Sequence, residues 1–138
     1  MLTLAQAQTA LAAMLDHAVQ IGTQPLALVL LDAGAHPVLI ARQDSAALLR
    51  VEIARGKAAS ALGLGTDTRA LAERAMANPT FFTSVAAATG QLILSAGGVL
   101  LRDAAGRLLG AIGISGDTAD IDEQVALTGR ATIAGDPK

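Results

Sequence analysis

Between Ala96 and Gly116 two apolar runs flank the tetrapeptide Asp103-Ala104-Ala105-Gly106, and glycine recurs at 97, 98, 110, 113 and 116. A polar, glycine-containing turn between such runs predicts a β-hairpin. Side chains alternate along a strand, so Leu108, Gly110, Ile112 and Ile114 are expected on one face. Leu109, Ala111, Gly113 and Ser115 are expected on the other. Glycine weakens a strand and is tolerated where a backbone, helix or ligand comes close. The hairpin is therefore expected to lie under a closely packed helix.

The remaining elements follow from periodicity and capping chemistry. Thr3-Leu4-Ala5-Gln6 fits a capping box, and Leu4, Ala7, Leu11, Leu15 and Ala18 form a helical stripe that Gly22 ends. His17 lies at the edge of that stripe. Leu26 to Leu31 and Val38 to Ala41 flank the turn residues Asp32 to Pro37, which predicts a second hairpin with His36 at its tip. Asp44 or Ser45 is expected to cap a helix reaching about Leu62. Thr66 or Asp67 opens a short helix, and Asn78-Pro79 opens another that carries Phe81 and Phe82. Gln91 to Ser95 reads as a strand. Asp120 with Glu123 suggests a capping box for a last helix to about Ala134, stopped by Gly135-Asp136-Pro137. Hairpins imply an antiparallel sheet, and helices between them imply an α+β fold in one domain spanning residues 1–138.

Composition excludes several functions. The net charge is −2 and the only aromatics are two phenylalanines, so neither a basic stripe nor a base-stacking platform exists for nucleic acid. Cysteine is absent, which excludes a disulfide framework, thiol catalysis and zinc-thiolate sites. No apolar run is long enough to span a bilayer, and Met1 to Gln6 shows no signal-peptide pattern, so a cytoplasmic protein is expected.

The chemistry-bearing groups are few. Gly110, Gly113 and Gly116 match neither the dinucleotide pattern nor the P-loop pattern, and the acids Asp117, Asp120, Asp122 and Glu123 that follow would repel a phosphate. Those acids suit a solvated helix N-terminus better than a calcium loop. Arg42, Arg50, Arg55 and Lys57 face Asp44 and Glu52 within a short stretch. A salt-bridged helix surface is one reading of them; a carboxylate-binding pocket at Arg42 and Asp44, where a strand leaves the sheet, is the other. No serine sits in a nucleophile elbow. For haem iron the available ligands are His17, His36, Met14 and Met76. His17 is the best placed, with Met14 one turn earlier.

Several of these segments belong together: Val29-Leu30-Leu31-Asp32-Ala33-Gly34, Ala41-Arg42-Gln43-Asp44, Glu52 to Ala58, Gly97-Gly98-Val99, and Gly110 to Gly116 followed by Asp122-Glu123 and Ala126. In order and along the whole chain they resemble the HbpS/GlcG family of small haem-binding and glycolate-operon proteins, whose domain also ends PduO-type proteins. Leu100 stands where the family usually has proline, and Gln43 and Ser45 replace its usual methionine and glycine. The resemblance implies a profilin-like five-stranded antiparallel sheet with packed helices, in the order α-β-β-α-α-α-β-β-β-α. It implies a non-catalytic protein that binds haem, a related tetrapyrrole or a small organic acid near Gly97-Gly98. Arg42, Asp44, Lys57, Phe81 and Phe82 are further candidate ligand-binding residues, and His17 is the candidate iron ligand. The alternative is an enzyme or sensor for a small carboxylated metabolite. In that reading Lys57 or Arg42 anchors the carboxylate and Glu52 or Asp44 is the acid/base. With 52% hydrophobic and 16% charged residues, a homo-oligomer, a dimer or larger, is expected.

Overall fold

The structure, a computed structural model, describes residues 1–134. The expected stop at Gly135-Asp136-Pro137 lies outside the described residues. The chain runs α1 (Leu4–Ile21), β1 (Ala27–Asp32), β2 (Pro37–Arg42), α2 (Arg50–Leu64), α3 (Thr68–Ala77), α4 (Pro79–Thr89), β3 (Gly98–Arg102), β4 (Leu108–Ser115) and α5 (Ala119–Ala134). The fold is α+β, with a four-stranded antiparallel sheet in the order β2-β1-β4-β3.

The sheet thus has one strand fewer than expected. Gln91 to Leu94 adopt no regular structure, Ser95 lies in a bend, and the segment pairs with no strand among the described residues. The Ile93 amide donates instead to Ser60 Oγ at 2.9 Å, and the Ile93 side chain rests on Gly56, where any Cβ would collide with it. The edge it would have joined is already occupied. On β3 the Gly98 amide donates to Thr68 Oγ1 and the Leu100 amide to Asp67 Oδ1, each at 2.9 Å. Two side chains at the start of α3 therefore satisfy the outer edge of β3 in place of a fifth strand.

Two cores sandwich the sheet. On one face Leu28, Leu30, Val99, Leu101, Ile112 and Ile114 meet α1 and α5. On the other Ala27, Val29, Leu31, Leu100 and Ala111 meet the alanines 54, 58 and 61 of α2. The expected alternation along β4 holds at Ile112 and Ile114 but reverses at its start, where Leu109 joins the first core and Leu108 packs on the second. A bulge is the cause. Leu101 pairs with Gly110 and Arg102 with Leu108, which leaves Leu109 as the extra residue and turns the side chains before it over.

Some helix starts also differ from expectation. The capping box at Thr3 and Gln6 is present, and Asn78 Oδ1 accepts from the Phe81 amide. The apolar line of α1 is rotated: Ala7, Ala10, Met14 and Ala18 are buried, whereas Leu4 is exposed. Small residues permit the close approach of α5, whose Gly129 lies against Met14 Sδ. α2 begins at Arg50 with no side-chain cap, not at Asp44 or Ser45. Gln43 extends the pairing of β2, its amide donating to Leu26 O and its Oε1 accepting from the Leu26 amide, so the next residues make a turn in which Ser45 has φ 71°. For α5 the cap is Thr118, whose Oγ1 accepts from the Ile121 amide; Asp120 and Glu123 both turn outward to Arg69.

Candidate functional site

The glycines of the hairpin admit α2 to the sheet. A Cβ on Gly113 would fall inside the Ala54 carbonyl, and one on Gly98 would strike the Lys57 carbonyl at 2.5 Å. This close approach carries Lys57 through to the far side of the contact. Its side chain is 3% exposed, and Nζ donates to Ile114 O at 2.9 Å, Ala96 O at 3.0 Å and Asp122 Oδ2 at 3.1 Å. An ammonium has three protons, and all three are engaged. Gly97 closes the cage: its φ is 125°, and a Cβ there would meet Ile114 O at 2.8 Å and Lys57 Nζ at 2.9 Å. Asp122, 1% exposed, uses its other oxygen to accept from the Asp117 amide. Burial pushes the Lys57 pKa down, Asp122 pulls it back up, and Arg50 adds a smaller downward push; burial prevails.

Lys57, Gly97 and Gly98 therefore meet, but in a sealed knot that ties α2, β4, the 96–98 turn and α5 together. No proton of Lys57 is left for a ligand carboxylate. The acidic run is likewise committed within the fold. Asp117 Oδ2 accepts from the Gln24 amide and Oδ1 from the Thr118 amide, contacts that hold its carboxyl below the usual range. Among the described residues no group of His, Asp and Glu is arranged to hold a metal ion.

The other candidates are distributed over separate clefts. Arg42 and Asp44 line a cleft of about 540 Å³ against Leu15, Val19, Thr23 and Pro25 of the opposite wall. Glu52 lies in a second, of about 410 Å³, between α2 and residues 86–93. Phe81 and Phe82 line a third, of about 500 Å³, with Leu64, Leu71, Arg74 and Asn78. Sequence reasoning assigned no role to Arg74 and read Asn78 only as a helix cap. Among the iron-ligand candidates, Met14 is fully buried, Met76 is 87% exposed, and His36 sits at the hairpin tip with Nδ1 3.3 Å from Asp32 Oδ1. His17 is half-buried at the seam of α1 and α5, and its Nε2 lies 3.1 Å from Gln124 Nε2.

A family model described as "Haem degrading protein HbpS-like" matches residues 2–131. The chain belongs to the HbpS-like family. Solved structures match over 95% or more of its length. The ORFY protein of Klebsiella pneumoniae superposes with a TM-score of 0.86 at 26% identity, covering 95% of this chain and 89% of its own. A haem complex of PduOC also gives 0.86 at 26% identity, over 96% and 94% of the two chains. HbpS gives 0.83 at 29% identity, over 96% and 90%. No curated protein matches the sequence.

Proposed function

We propose that this HbpS-like chain binds haem or a related tetrapyrrole, with His17 as the protein ligand to the iron. The observation that carries the reading is the family match over residues 2–131, joined to whole-length similarity to a PduOC haem complex. The local chemistry supports it. Of the candidate ligands, only His17 is half-buried: Met14 is fully buried, and Met76 and His36 are exposed. Gln124 then serves as a positioning residue beside the imidazole. Bound haem would supply the iron; the chain's own contribution is to shelter one face and present His17.

A haemin titration followed at the Soret band tests this. Saturable binding is expected for the wild type and for His36→Ala, and loss of the bound-state spectrum for His17→Ala. Absence of saturation, or binding indifferent to both histidines, would overturn the assignment.

The functional unit is a homo-oligomer in this proposal. Leu48, Leu49 and Val19 expose between 66% and 77% of their surface, apolar area that a second copy would cover.

A further inference from the structure

We propose that the cleft between α3 and α4 is a second small-molecule site, for an aryl or short alkyl monocarboxylate, separate from the haem face at His17. Its floor is apolar and closed: Leu71 is 1% exposed and Phe82 8%. Phe81 stands edge-to-face on Phe82, with centroids 5.2 Å apart and an interplanar angle of 89°, and about half of Phe81 remains open. An aromatic or alkyl body entering the cleft of about 500 Å³ meets that open surface.

The polar groups at the cleft all point to an anion. Arg74 forms no ion pair among the described residues, whereas Arg69, Arg107 and Arg130 each do. Among the described residues no carboxylate lines the cleft. Asn78 Oδ1 is taken by the Phe81 amide, which leaves its side-chain N–H groups to donate outward. A guanidinium fork and an amide donor above an apolar floor match a single carboxylate on an apolar body. An amine or a neutral polar ligand would leave the guanidinium unanswered.

Two of the other clefts are less selective. The one at Arg42 also contains Asp44, and the one between α3 and β3 sets Arg102 and Arg130 beside Asp67 and Asp103. Neither has one uncompensated sign.

The probe is 3-phenylpropionate, compared with its neutral amide by calorimetry and by amide-resonance mapping. The acid is expected to bind saturably, with shifts centred on residues 71–82. The amide, and the acid with Arg74→Gln, are each expected to bind at least about tenfold more weakly, the loss of one charge-assisted hydrogen bond. Arg74→Lys should recover part of the affinity, and Phe81→Ala should weaken it without unfolding the chain. His17→Ala should bind the acid as wild type does, so failure of haem binding leaves this result standing. No saturable binding, equal binding of acid and amide, wild-type binding by Arg74→Gln, shifts centred elsewhere, or displacement of the acid by haemin would each overturn the proposal.

Discussion

Lys57 has an unusual standing in this chain because it and Lys138 are the only lysines, and tyrosine and cysteine are absent. Little else titrates between pH 9 and 11 to obscure it. Its folded pKa lies below the ordinary 10.5, so between those values the unfolded chain holds a proton that the folded chain has released. Stability must then rise with pH through that window. Urea melts from pH 8.5 to 10.5 should show the midpoint climbing; a falling midpoint would mean that Asp122 outweighs burial. Removing the partner is harsher. Lys57→Met leaves Asp122 buried and uncompensated, a change that typically costs about 3–5 kcal/mol. The double variant Lys57→Met/Asp122→Leu should recover much of that loss, as read from denaturant midpoints.

The same pair is legible in the sequence from two helical stripes taken together. Asp122, Val125, Ala126 and Gly129 share a helical face, as do Ala54, Lys57, Ala58 and Ala61. Each stripe is a core stripe holding one charge, and buried charges of opposite sign require each other. Reading Lys57 as part of a salt-bridged surface or as an anchor for a ligand carboxylate, and Asp122 as one of a solvated acidic cluster, misses that complement. Arg74 and Asn78 gave no comparable signal, since their convergence depends on the angle between α3 and α4.

Among the elements, the two hairpins were legible because turn chemistry and apolar runs agree at short range. The Gln91–Ser95 segment was not, because its apolar content satisfies a helix surface as well as a sheet. The outcome was settled by Asp67 and Thr68, distant in sequence, taking the β3 amides first. Asp67 joins three elements, accepting from Leu100 N and from Arg130 Nη1 at 2.8 Å. Asp67→Ala should cost about 1–3 kcal/mol by leaving a strand amide unmet, and should speed hydrogen exchange at Leu100 before the rest of β3. The contact of α2 on the hairpin offers a sharper case. Gly113→Val drives a branched side chain into the Ala54 carbonyl, so its cost should reach or exceed the usual overpacking range of about 1–3 kcal/mol. A thermal melt indistinguishable from wild type would show that α2 can be displaced at no cost.

At the scale of the molecule, a single copy leaves apolar side chains facing water at several points, including Ile40 on β2. Light scattering after size exclusion at micromolar concentration should return at least twice the chain mass. A mass of one chain, unchanged on concentration, would rule out the assembly.

The two sheet edges are unlike. The β3 edge is stoppered by Asp67 and Thr68, whereas β2 ends the sheet on the other side with only β1 beside it among the described residues. A chain with one joinable edge behaves as a monofunctional monomer does in a polymerisation. Joined through its strands, it can couple once with its twin and then has no growing end. Whatever larger assembly its helices build, edge-to-edge fibre growth is terminated at two.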